Sequence, residues 1–207
     1  MVQILKGSDI ATVILNNCKR KSNELCKLGK SILLAVIGVG KNKSFESYLK
    51  GIMSKSKQCN IKVKYIHLSE DISQNFLIDT IHDLNSDNSV NGILILKPFP
   101  KNLNINAQEV CDAIEPIKDI DCVTSVNLAS SFVNKDSYNP CTAEACLRIF
   151  DYYGINLESK NNCLEFSKLS SSRSQKSSSV NNLSKYLKSN SSLNFGIKGG
   201  VTVLCWY

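Results

Sequence analysis

Histidine is scarce in this chain, with only His67 and His82, and no Cys-x-x-Cys pair occurs. A zinc site of the usual kind is therefore not expected. The nine cysteines are odd in number, which argues against a disulfide framework, and they read as reduced, small apolar residues. Long apolar runs are missing as well, since none approaches the ~20 residues of a membrane helix. A complete phosphate-binding glycine loop is also absent. Gly38 and Gly40 have no third glycine at the required spacing, no P-loop Lys-Ser/Thr pattern appears, and a turn is the better reading. The basic excess, +7 overall, is spread along the chain without aromatic interleaving, so nucleic acid is not an expected partner. Lys41, Lys43, Lys50, Lys55 and Lys57 do cluster locally, either as a solvated face or as an attraction for an anionic ligand.

What is present is ordinary globular material. With 207 residues, 43% of them hydrophobic and 21% charged, the chain can hold one packed domain and part of a second. The first helical motif begins by residue 4 and leaves no room for a leader, so a cytoplasmic location is expected. Apolar spacing predicts a helix over 8–28 stopped by Gly29, a strand over 31–39, a helix over 44–57, a strand over 62–68 and a helix over 71–85. A further strand starts at Gly92, followed by a helix over 107–114. That alternation implies an open α/β layer with a parallel sheet. Ligands in such sheets sit at the carboxyl ends of the strands, which brings Gly40, Tyr48 and the segment from Pro98 to Pro100 to one rim. Residues 125–131 and 136–139 look irregular. Residues 142–153 read as a helix capped by Thr142, with Gly154 ending it.

The stretch from residue 92 to 121 carries the most chemistry. Gly-Ile-Leu-Ile-Leu-Lys-Pro-Phe-Pro is a buried strand forced into an extended exit by two prolines, and Pro116 introduces an acidic loop holding Lys118, Asp119 and Asp121. Together with Ile4-Leu-Lys-Gly7, Ile10-Ala11, Leu34-Ala-Val-Ile-Gly-Val-Gly40, Ser47-Tyr48, Leu84-Asn85, Asn127 and Pro140-Cys-Thr142, this order resembles the methylenetetrahydrofolate dehydrogenase/cyclohydrolase family over most of residues 4–160. The resemblance implies interconversion of methylene- and methenyl-tetrahydrofolate with NADP, then hydrolysis to 10-formyl-tetrahydrofolate. It also implies a small-molecule folate as partner and a homodimer built mainly through the nucleotide domain. In this sequence it assigns substrate binding to Tyr48, Pro98, Pro100 and Asp121, with Tyr48 along the pterin ring and Asp121 at the pterin's amino edge.

Two decisive positions depart from that pattern. The family's acid-base lysine, four residues after its tyrosine, is Ile52 here, and the glutamine that orients it is Leu96. If these two touch, neither leaves a buried polar partner unpaired. Lys55, seven residues after Tyr48, is either a solvated lysine or a catalytic substitute. Lys50 faces away, and Cys141 reads as a packing residue.

Beyond residue 153 the resemblance thins. Residues 161–166 should form a strand but contain two asparagines and Glu165, 167–192 are rich in serine, asparagine and lysine, and 183–187 suggest a helical turn. Arg173 and Ser174 are what remains of the family's cofactor motif, and 201–207 suggest a second strand. The expected organisation is a folate-type domain over 1–153 and a degenerate or truncated Rossmann-like NAD(P)-binding domain over 154–207. The expected function is the family's activity in impaired form. The alternatives are a catalytically inactive folate- or partner-binding relative, and an incomplete gene product.

Overall fold

The computed structural model describes residues 5–41, 43–133 and 138–155. In chain order these form α1 (Gly7–Lys27), β1 (Ile32–Val39), α2 (Lys43–Gln58), β2 (Ile61–Leu68), α3 (Gln74–Ser86), β3 (Gly92–Ile95), α4 (Ala107–Asp112), α5 (Ser125–Val133) and α6 (Cys141–Tyr152). They fall into two compact units. One holds the sheet, from residue 12 to 139, and the other pairs residues 5–11 with 140–155.

In the sheet unit all three strands are parallel, in the order β2-β1-β3. Parallel neighbours cannot be joined by tight turns, so the helical crossovers read from the sequence are a geometric necessity. The strand at the centre, β1, is buried from Leu34 to Val39, as expected of a strand covered on both faces. Its side chains sort by alternation. Ala35, Ile37 and Val39 pack with Leu77, Ile81 and Leu84 of α3 and Val110 of α4. Leu34 and Val36 pack on the other face with Phe45 and Ile52 of α2. A parallel bridge from Ile93 to Asp119 extends the sheet past β3, with the Ile93 N–H donating to the Lys118 carbonyl at 2.8 Å.

Two expectations about helix starts are corrected. Residues 125–131 are not irregular but lie in α5. Ser125, Asn127, Ser130 and Ser131 are poor helix formers, yet the helix entry is secured by the Asp119 carboxylate, which accepts from the Val123 N–H at 3.0 Å and the Thr124 N–H at 3.0 Å. The Thr124 hydroxyl then accepts from the Asn127 N–H at 3.2 Å. In the second unit α6 begins at Cys141, so Thr142 lies inside the first turn and is not its cap. Pro140 holds the N-cap position without a side-chain bond, and its carbonyl accepts from the Glu144 N–H at 3.0 Å. The residues past 155, including Arg173, Ser174, the two suggested strands and the serine-rich segment, lie outside the described residues. Among the described residues no helix is long and apolar enough to cross a membrane.

Candidate functional site

The carboxyl ends of the strands converge through backbone contacts. Gly40 follows β1 with φ +71°, and a Cβ there would stand 2.9 Å from Pro100 Cγ, so only glycine permits this approach. Its N–H donates to the Leu68 carbonyl at 2.9 Å, and His67 Nε2 lies 3.0 Å from its carbonyl oxygen. Beyond β3 the Leu96 N–H donates to the Ile37 carbonyl at 2.8 Å before the chain turns at a cis Lys97–Pro98 peptide. Pro98 and Pro100 thus stand at the rim that the sequence indicates.

One face of this rim is floored by α2. Tyr48, half-buried, packs against the cluster formed by Leu34, Val36, Phe45, Ile52, Leu94 and Leu96. Ile52 is 0% exposed and Leu96 2%. The two apolar replacements therefore share one cluster, and neither side chain brings to it a polar atom in need of a partner. Lys55 is not brought to the rim. A crossover helix runs against its strands, and seven residues at ~1.5 Å each place Lys55 about 10 Å further from the strand carboxyl ends than Tyr48. Its surroundings agree: burial and the neighbouring Cys18 push the Cys59 thiol up, while Lys19 and Lys55 partly offset them. The Cys59 thiol also reaches the Leu15 carbonyl of α1 at 3.7 Å. Lys50 is exposed.

Tertiary contacts divide the acidic segment into parts with different work. Lys118 Nζ donates to the carbonyls of Leu84 at 3.0 Å, Asn85 at 2.6 Å and Asp87 at 2.8 Å. This satisfies the end of α3 and complements its dipole. Asp119, 1% exposed, accepts not only from the α5 entry but also from the Thr124 hydroxyl at 2.9 Å and Asn127 Nδ2 at 3.0 Å. Lys118, Asp119 and Asn127 are thus scaffold. Asp121 is half-buried and, with Asp119, lies close enough to the Cys122 thiol to add to burial in pushing it up to about 12.

Sequence reasoning missed Lys97. Its ammonium lies 3.9 Å from Cys111 Sγ. Burial raises that thiol, Lys97 opposes the rise, and Asp119, Asp112 and Asp121 add to it in that order, so the cation and three carboxylates act on the same neighbour. The available signal was its place inside Leu-Lys-Pro-Phe-Pro. Among the described residues no cluster of three or more His, Cys, Asp or Glu could hold a metal ion.

An aromatic side chain and two prolines thus stand at the carboxyl ends of a parallel α/β sheet, where sheets of this kind carry their ligands. Residues 5–121 match the family described as tetrahydrofolate dehydrogenase/cyclohydrolase, catalytic domain. The bifunctional protein FolD of Listeria innocua is 32% identical over 160 residues, covering 77% of this chain and 56% of its own length. That of Thermodesulfovibrio yellowstonii is 36% identical over 158 residues, covering 76% and 54%. The crystal structure of the bifunctional FolD methylenetetrahydrofolate dehydrogenase/cyclohydrolase from Campylobacter jejuni aligns with a TM-score of 0.78 at 26% identity, over 93% of this chain and 65% of that one. The chain belongs to the tetrahydrofolate dehydrogenase/cyclohydrolase family. It spans about half the length of the curated relatives it matches.

Proposed function

We propose that this chain binds a one-carbon tetrahydrofolate and carries the methylenetetrahydrofolate dehydrogenase/methenyltetrahydrofolate cyclohydrolase activity in impaired form, the hydrolytic step being the one most affected. The observation that carries this reading is the contact cluster of Ile52 and Leu96 beside Tyr48. Opening a methenyl bridge requires a group that takes a proton from the attacking water and returns one to the departing ring nitrogen. Neither isoleucine nor leucine can do so, and a positioned acid-base group is worth about 10²–10⁴-fold in rate. Tyr48, Pro98, Pro100 and Asp121 are the proposed folate contacts. Lys55 as a substitute is disfavoured by its distance from the rim. NADP, the family's cofactor, belongs to the dehydrogenase half. Arg173 and Ser174, the residues the resemblance offers to that cofactor, lie outside the described residues. The same apolar pair favours a second reading, a folate-binding relative with no turnover at all. A homodimer is proposed on the family alone and is tested by sedimentation.

The test is loss of methenyl-tetrahydrofolate absorbance, corrected for the spontaneous reaction. The unmodified chain is compared with Ile52→Lys and with Ile52→Lys combined with Leu96→Gln. Lysine alone would bury an ammonium without a partner, at a cost of several kcal/mol or a depressed pKa, so the double variant should gain the most. Hydrolysis by the unmodified chain as fast as by the double variant would refute impairment. Folate binding without either half-reaction would decide for the second reading.

A further inference from the structure

Gly38 is the last position of β1 on the face covered by α2, following Leu34 and Val36 in the alternation. A Cβ at Gly38 would stand 2.6 Å from Tyr65 Oη, 3.1 Å from Cε2 and 3.2 Å from Cζ. The missing side chain is therefore what makes room for the phenol. Tyr65 does not pair with Gly38 in the sheet; its partner is Val36, and Gly38 pairs with His67. Its ring leans along the strand and carries the hydroxyl over the carboxyl end of β1. On the far side of Gly38 the row continues with Leu96, held to Ile37 by its backbone. Tyr65 packs on the same cluster as Tyr48, Ile52 and Leu96.

The hydroxyl is consequently a polar atom set into an apolar floor. It makes no hydrogen bond with the described residues. Nor is it sealed from solvent, because among the described residues the one sealed and unbonded side-chain polar atom is Ser22 Oγ. Burial and the Glu46 carboxylate both push the phenol up, and a phenol, protonated at neutral pH in any case, can donate there.

We propose that Tyr65 is a ligand-recognition residue whose Oη donates a hydrogen bond to an acceptor atom, a ring carbonyl or ring nitrogen, of the flat heterocycle held beside Tyr48. This rests on the folate reading of the cleft. Gly38 and Tyr65 act as a pair, the glycine giving up its side chain so that the tyrosine can supply a polar group where Ile52 and Leu96 supply none. The role is recognition and not proton transfer.

The test is calorimetric titration of the full chain with 5-formyl-tetrahydrofolate, a stable one-carbon folate, beside Tyr65→Phe and Gly38→Ala, with thermal unfolding measured for each. Tyr65→Phe keeps the ring and its packing, so the unfolding midpoint should hold while Kd rises about three- to tenfold, the worth of one neutral hydrogen bond. Gly38→Ala should weaken binding at least as much, because the new methyl displaces the phenol. Unchanged affinity in Tyr65→Phe, with binding by the unmodified chain, would overturn the inference and leave the folate reading standing. Absence of binding by the unmodified chain would overturn both.

Discussion

Replacing Asp119 by alanine should cost about 3–5 kcal/mol of stability, a large share of the ~5–15 kcal/mol that holds a typical domain folded. The carboxylate faces four donors: the Val123 and Thr124 N–H groups, the Thr124 hydroxyl and Asn127 Nδ2, at 2.9 to 3.1 Å. With Asp119 only 1% exposed, water cannot simply take its place, and each stranded buried donor costs about 1–3 kcal/mol. Rotation of the hydroxyl and fraying of the α5 entry recover part of the sum. Asp121, two residues on and half-buried, should behave differently: its alanine variant should lose no more than about 1 kcal/mol yet lose most of its folate affinity. Urea unfolding followed by circular dichroism, paired with ligand titration, reads both quantities on the full chain. A cost below about 1 kcal/mol for Asp119→Ala, or an equal cost for Asp121→Ala, would refute the division of this segment into scaffold and site.

Ser22→Ala should stabilise the chain by about 1 kcal/mol, since it deletes a buried hydroxyl without a partner and substitutes a better helix former; a lower melting temperature would contradict this. Gly40→Ala, forced to φ +71° with its methyl 2.9 Å from Pro100 Cγ, should cost about 2 kcal/mol and weaken ligand binding by shifting the proline rim, which an unchanged melt and titration would disprove. Because the Cys122 thiol is pushed up to about 12, the folded chain keeps a proton that the unfolded chain releases near ~8.5. That contribution is whole below the lower value and is lost as pH rises toward the higher one. Stability measured from pH 8 to 10.5 should decline, with a flatter slope in Cys122→Ser; identical slopes would exclude Cys122 as the source. Alkylation at pH 8 should label the exposed Cys26 well before buried Cys122, and equal rates would show that the loop around Cys122 opens.

The layer was legible because parallel strands buried on both faces are written as continuous apolar runs, and crossover helices as apolar residues three and four apart. Residues 32–39 and 74–86 follow those rules without outside help. The rim was legible for a similar reason, since two prolines spaced by one residue leave a chain few ways out of a sheet. The entry to α5 was not legible. Serine and asparagine at 125–131 disfavour a helix locally, and the preference is overridden by a carboxylate that only the fold turns toward them.

By itself, then, the sequence determined the α/β alternation, the family, and the replacement of two polar positions by Ile52 and Leu96. All are properties of residue type and spacing along one chain. Only the tertiary structure decided whether Ile52 and Leu96 share a cluster, that Lys118 and Asp119 are spent on holding helix ends, and that Tyr65 fills the place Gly38 leaves open. Those facts depend on strand register and helix placement, which bring together residues as much as 44 positions apart in the chain, as Ile52 and Leu96 are. Spacing along the sequence does not encode such distances, because packing, and not chain order, selects the neighbours.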